Sequence, residues 1–558
     1  MSADLVISGG TVIDGTGSPG RAADVAITDG RVTAIGANLS GRRHLDAVGQ
    51  IVSPGFIDIH THYDAQVFWD PDLTPSSFHG VTTVVAGNCG LSIAPTRESD
   101  RRSMVRILEN VEDMNGDSLA AGVPWDFETF PDYLAAVRRR GTLLNYAVFV
   151  GHTPLRLYVM GEEAFERIST AEERDRMCAV LKEAMLAGGA GLSTSFAPTH
   201  RDADGRAIPS RLSDQAEFAQ LCGVLGDVGL GVVEVSPGPQ FTIDDLYRLQ
   251  PAARAPFTYG ALLSDPSGRH EHLVRQNRDG WAAGARVWPQ VTPLPVQVEF
   301  SMAEPGVLLS MNPAFQPLMG RPLEVRRAAY TDPEWRAQAV HGFTVQERLR
   351  PRWDTYEIAA SAAHPELAGR RVADLAAERG SEPLDVILDL ALESADLDVR
   401  VHCIVSNDDS DSVAGLLQEE HCTFGLSDAG AHVNQLCDAS QATSFLGAWV
   451  RDRSLMPMED AIRKLTGVQA DLFGFADRGY LRPGGWADVV VFDPATVGSG
   501  PVRRVRDFPA EGDRLTADRP TGVIHVVVNG VPIRQDGEML PLGQGDRPGQ
   551  VVGPTRRG

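Results

Sequence analysis

Nowhere in this 558-residue sequence does an uninterrupted apolar run approach about 18 residues, so no membrane span is expected. The opening segment, Met1-Ser2-Ala3-Asp4-Leu5-Val6-Ile7, lacks a basic start followed by an apolar stretch, and no secretory signal is read there. Positive charge is scarce. Fifty-one Lys and Arg against 74 Asp and Glu leave a net charge of −23, which argues against nucleic acid and anionic membrane surfaces as partners. Cysteine is rare as well. Cys89, Cys178, Cys222, Cys403, Cys422 and Cys437 lack the spacing of a disulfide framework, so reduced thiols in a cytoplasmic protein are expected. No internal repeat or low-complexity segment stands out. What remains is an ordinary globular composition, 43% hydrophobic and 22% charged, in a chain long enough for two or more folded units.

The first ~50 residues read as short strands joined by tight turns at Gly9-Gly10 and Asp29-Gly30. The same texture returns near the other end, in Ala487–Phe492 and in His525–Val528 turning through Asn529-Gly530 into Val531–Ile533. Neither end has residues enough for its own core, so residues 1–53 and 481–558 are expected to pair into one small β-sandwich domain. The middle, 54–480, alternates strand-like and helix-like segments. Its strand candidates are Phe56–His60, Val81–Ala86, Tyr146–Val150, Gly191–Ser195, Val232–Val235, Phe257–Leu262, Val287–Val291 and Phe424–Ser427. Eight such strands predict an α/β fold, a (β/α)8 barrel of the TIM type. Val399–Val405 does not fit that count and reads as an accessory strand. Residues 295–358 carry no barrel period and read as an insertion over the mouth, with Phe315, Met319, Trp335 and Phe343 as its own small core.

Chemistry in such folds sits at the carboxyl ends of the strands. His60 and His62 lie there, and residues two apart on a strand point the same way, so both can converge on a divalent metal. Other strand ends offer Asn88-Cys89-Gly90, Gly151-His152, Ser193-Thr194-Ser195, Glu234, and Ser427-Asp428-Ala429-Gly430-Ala431-His432. Asp428 could equally cap a helix, and Cys89 could be an inert buried thiol. Glu234, on a strand buried on both faces, needs a partner: a metal, a salt bridge or a hydrogen-bond network would serve.

Three pieces, Gly55–Asp64, Gly80–Gly90 and Gly425–Gly430, together with Leu5–Gly15 and Gly479–Asp488, resemble the amidohydrolase superfamily. Within it the chain is similar to the N-acyl-D-amino-acid deacylases along nearly its whole length. The resemblance implies water activated at one or two metal ions, zinc first among divalent candidates, attacking an amide carbonyl. It implies that His60, His62, Cys89 and Asp428 face the metal, that Asp428 also moves the proton, and that His152 lines the substrate pocket. Departures accompany it. The deacylases carry histidines at strand ends five and six, where this chain has Glu234 and Thr258-Tyr259-Gly260-Ala261. Their tyrosine-bearing loop is replaced by Ser195–His200, and their carboxylate-holding lysine and arginine are missing.

The candidate metal set is therefore His60, His62, Cys89, Glu234, Asp428 and His200. The candidate substrate contacts are His152, Arg156, Ser195 and His432. Arg156, Arg201 and Arg211 could stand in for the missing carboxylate clamp. The expected activity is metal-dependent hydrolysis of a C–N amide bond in a small molecule. A cyclic amide, lactone or ester could be the substrate of the same site, and a metal-free binding or regulatory barrel is the alternative of another class. Assembly into a homo-oligomer stays open.

Overall fold

The computed structural model describes residues 2–303, 305–345 and 350–556. Both chain ends enter one nine-stranded sheet. Across it run Glu538–Met539, Val531–Gln535, Val523–Val528, Val489–Phe492, Ile51–Pro54, Ala3–Val12, Arg21–Thr28 and Arg31–Gly36, with Gly41–Asp46 pairing parallel to Ala3–Val12. The two halves meet where Val489–Phe492 lies antiparallel to Ile51–Pro54. The turns at Asp29-Gly30 and Asn529-Gly530 form as the sequence predicts, each with both residues at positive φ (50° and 75°; 48° and 82°). Gly9-Gly10 does not turn. Ala3–Val12 is one strand whose register shifts between Ile7 and Gly10, and Gly9 at φ +78° absorbs the bulge.

The central strands are all parallel. The first three, Phe56–Asp58, Val81–Ala86 and Asn145–Val148, form one sheet. The third strand breaks at Phe149 and resumes as Val150–Gly151 at the edge of a second sheet. That sheet continues through Gly191–Ser195, Val232–Ser236, Phe257–Tyr259, Val287–Val291 and Thr423–Phe424. This is the α/β architecture expected from eight short apolar runs separated by helices. The helix Ala171–Ala187 shows why they separate. Thr170 and Glu173 close a capping box at its start, and it buries Met177, Leu181, Ala184 and Met185 on one face.

Between the seventh and eighth strands the chain leaves this pattern. Val296–Ser301, Val399–Ser406 and Glu357–Ser361 form a separate antiparallel sheet with Val399–Ser406 central. Helices including Leu323–Thr331 and Pro383–Leu392 cover it, and Phe300, Phe315, Tyr330, Ile358, Leu388 and Val401 share one apolar cluster. The strands of this sheet lie between Val296 and Ser406. The segment expected to be an accessory strand is its middle strand. A C-terminal hairpin, Arg503–Phe508 with Gly512–Thr516, stands apart from the large sheet and touches the loop after strand eight. Among the described residues no helix is long and apolar enough to cross a membrane.

Candidate active site

His60 lies two residues beyond the first parallel strand. Its Nδ1 meets Gln290 Oε1 of strand seven at 2.6 Å. That contact turns Nε2 the other way, 3.1 Å from Asp428 Oδ1 and 3.5 Å from Cys89 Sγ. His62 follows on the same side, with Nε2 3.7 Å from Asp428 Oδ1. Thr61 between them points away, bonding through its hydroxyl to the Val85 carbonyl and bridging to Ala429. The period-two spacing read from the sequence therefore persists past the end of the regular strand. Among the described residues, His60, His62 and Cys89 form the one group with ligand atoms all within 4.8 Å of one another.

Cys89 reaches this point through a tight turn. Gly87, Cys89 and Gly90 have φ of 78°, 55° and 74°, a path that glycine permits and a cysteine adopts at some cost. The turn is held by Glu234 of strand five, whose Oε2 accepts the Cys89 N–H at 2.9 Å. Glu234 Oε1 is buried without a hydrogen-bond partner. Ser236 Oγ lies 3.3 Å from Cys89 Sγ. Asp428 sits in an irregular loop at φ +44°, not at a helix start, and its side chain keeps 21% exposure. It is the side that a solvent molecule can approach.

The electrostatics fit a cation. Burial raises the Cys89 thiol to about 12 and the Glu234 carboxyl to about 8, and lowers His60 to about 4. Burial pulls His62 down too, but Glu112, Asp428 and Cys89 outweigh it and hold the imidazole well above its ordinary value. Burial likewise opposes ionisation of Asp428, yet His60, then His62 and His432, hold it below the usual carboxylate range. A divalent ion among these donors would favour the thiolate and both carboxylates. Neutral imidazole, thiolate and carboxylate together are a zinc donor set.

The remaining sequence candidates divide. His200 approaches the cluster but its Nδ1 lies 2.7 Å from Ser195 Oγ in a hydrogen bond, and burial lowers it to about 3. Ser195 is fully buried and also accepts the Ala197 N–H, so it shapes the His200 loop rather than facing a substrate. His432 is partly exposed, with Nε2 3.9 Å from Glu112 Oε2. His152 and Arg156 belong elsewhere. Both are wholly buried, His152 between Thr194 Oγ1 and Glu217 Oε1, and Arg156 on both Glu217 oxygens at 2.6 Å. Both ring nitrogens of His152 and the Arg156 Nη1 are thus committed to protein partners rather than facing the His60 cluster. Arg211 Nη1 donates to the Pro198 and His200 carbonyls, and Arg201 Nη1 to that of Gly205, so neither presents a ready clamp.

Sequence reading missed two groups, Gln290 and Glu112. Gln290 is a polar residue inside the apolar strand Val287–Val291, a signal that could have marked it. Glu112 just follows the helix Arg101–Val111, beside Asp113, where a carboxylate reads as a solvated helix end. At strand six, a Cβ on Gly260 would stand 3.4 Å from His60 Cε1, so this position faces the cluster but offers no ligand.

Comparison with known proteins identifies the family. The sequence profile described as "Amidohydrolase family" matches residues 43–534. A D-aminoacylase of Alcaligenes xylosoxydans xylosoxydans is 31% identical over 542 residues, covering 96% of this chain and 95% of that protein. The crystal structure of a D-aminoacylase said to define a novel subset of amidohydrolases superposes with a TM-score of 0.68 at 28% identity, covering 99% of this chain and all of the other. An N-acyl-D-glutamate deacylase from Bordetella bronchiseptica, solved with zinc and a phosphonate mimic of the tetrahedral intermediate, gives 0.67 at 28% identity, with the same coverage. The donors gathered around Asp428 thus stand in a chain that belongs to the amidohydrolase family.

Proposed function

We propose that this chain hydrolyses a C–N amide bond of a small molecule at a metal position held by His60, His62, Cys89 and Asp428. The observation that carries the reading is the convergence of ligand atoms of His60, His62 and Cys89 within 4.8 Å of one another, with Asp428 Oδ1 3.1 Å from His60 Nε2 and 3.7 Å from His62 Nε2. The unpartnered Glu234 Oε1 supports a place for Glu234 at the edge of the same donor set. Bound there, zinc would supply Lewis-acid polarisation of the carbonyl and acidify water.

The rest is done by the protein. Gln290 fixes the His60 ring. Asp428 accepts the proton of the attacking water at a carboxylate oxygen and returns it to the leaving nitrogen. His432, partly exposed near it, would meet the substrate. Two relatives are named as deacylases of N-acyl-D-glutamate and N-acyl-D-aspartate; here Arg201 and Arg211 are committed to backbone carbonyls. That favours amides whose recognition does not depend on a carboxylate, cyclic amides among them. We also read the eight parallel strands as a closed (β/α)8 barrel and the nine-stranded sheet as the curled sandwich expected at the chain ends. The Thr61–Ala429 bridge supports closure. In that division residues 1–53 and 481–558 form the flanking domain and the inserted segment overhangs the mouth.

The test is metal analysis of protein purified without chelator, followed by a panel of N-acyl amino acids of both hands, cyclic amides and lactones. About one equivalent of zinc or more, lost in His60→Ala, together with amide turnover is expected. Metal below about 0.2 equivalents with no rescue by added Zn2+ would sink the mechanism and favour a metal-free binding barrel.

A further inference from the structure

Glu112 is a buried carboxylate beside the cluster to which neither the sequence reading nor the proposed reaction gives a task. It is 1% exposed, and its Oε1 has no hydrogen-bond partner. That oxygen lies 3.4 Å from His62 Nδ1, the ring nitrogen opposite the one that faces Asp428. Its Oε2 is 3.9 Å from His432 Nε2, and its backbone carbonyl accepts the His432 N–H at 2.5 Å. Glu112 therefore reaches two histidines at once, one of them through both main chain and side chain.

The neighbouring histidine shows what such a contact accomplishes. Gln290 Oε1 occupies His60 Nδ1 and leaves Nε2 to the cluster. A histidine that binds metal through one nitrogen commonly donates its other N–H to an oxygen, which fixes the tautomer and the ring plane. We infer that Glu112 is the positioning residue for His62: it takes the Nδ1–H, presents Nε2 to the metal position, and ties the His432 loop to that choice. The inference rests on the metal-site reading above. It adds a residue from outside the parallel strands, reaching in from the end of the helix Arg101–Val111.

The experiment measures zinc affinity by chelator competition, and the visible spectrum of the cobalt-substituted protein, in the full-length chain. Glu112→Leu keeps volume but no acceptor, and Glu112→Ala removes both; each should lose zinc affinity about 10- to 100-fold and shift the cobalt ligand-field bands. Glu112→Gln retains an acceptor oxygen, as Gln290 does for His60, and should stay within about tenfold of the parent. The unfolding midpoint of each metal-free variant separates lost positioning from lost folding. If only one acceptorless variant folds, it decides the comparison with Gln. Leu or Ala affinity within threefold of the parent, or Gln falling as far as they do, would overturn the role of Glu112. A parent that binds no metal would instead overturn the metal-site reading itself.

Discussion

Asp428 is asked both to face the metal and to move a proton, and a single atom change separates the two tasks. Asp428→Asn keeps an oxygen toward His60 and His62 but cannot hold the proton. It should lower kcat about 10²- to 10⁴-fold while retaining more than half of the bound zinc; full activity in a steady-state assay would refute the assignment. A second residue-scale prediction concerns pH. Burial opposes ionisation of Glu217, but His152 and Arg156 outweigh it and hold the carboxyl at about 2, below its ordinary 4.5. A depressed folded-state value means stability that is fully present above about pH 4.5 and lost as pH falls towards 2. Glu217→Gln should cost about 3–5 kcal/mol at neutral pH. Its deficit in denaturant unfolding should be constant above pH 5 and shrink through pH 4.5 to 3. A deficit unchanged at pH 3 would show that the pairing is not its source. His60, His62, Cys89 and Asp428 were legible in the sequence because strand ends concentrate chemistry. The same logic could not show how the His152 ring is held, because position at a strand end does not reveal a partner such as Glu217, 65 residues away.

At the scale of elements, the turn Gly87–Gly90 decides where the thiol goes. A Cβ on Gly87 would stand 2.8 Å from the Phe149 carbonyl at φ +78°, so both backbone strain and a clash oppose it. Gly87→Ala should destabilise the protein by about 1–3 kcal/mol and reduce zinc affinity further than thermal stability alone accounts for. Parallel thermal melts and chelator titrations would show it, and unchanged affinity would mean that the turn does not aim Cys89. The parallel strands were readable as compact β-branched runs, and the helix Ala171–Ala187 from its apolar face. The Gly9-Gly10 error has a local cause. Two glycines between apolar triplets are equally consistent with a turn and with a bulge, and only the pairing with Arg21–Thr28 and Gly41–Asp46 distinguishes them. The stretch from 359 to 406 gives little sign of the sheet it joins, because it has ordinary helix and strand texture. Only the antiparallel pairing of Val399–Ser406 reveals which sheet it serves.

Across the whole molecule, distant parts of the chain brace the loop that carries Asp428 and His432. Arg504 of the C-terminal hairpin donates to Asn434 Oδ1 and its carbonyl, to Glu299 Oε1 of the inserted sheet and to Asp513. The Leu515 N–H meets the Val433 carbonyl at 2.7 Å. Arg504→Ala should therefore lower kcat/KM on the order of 10- to 100-fold by loosening this loop. The partly exposed ion pairs it removes are worth about 1 kcal/mol or less each, so Tm should move by only a few degrees. Equal losses of activity and fold would argue that the hairpin is structural only. The order in which the chain is made gives its large sheet another meaning. Ile51–Pro54 runs through Gly55 straight into the strand that bears His60, and its partner Val489–Phe492 is synthesised more than 430 residues later. During translation the segment that carries His60 and His62 leaves the ribosome attached to half a sheet with an open edge. Such distant pairing slows folding and leaves apolar strand edges exposed while it waits. A polypeptide stalled anywhere before residue 489 should thus be unable to complete the support of His60 and His62, and maturation of the site becomes an event that follows synthesis rather than accompanies it.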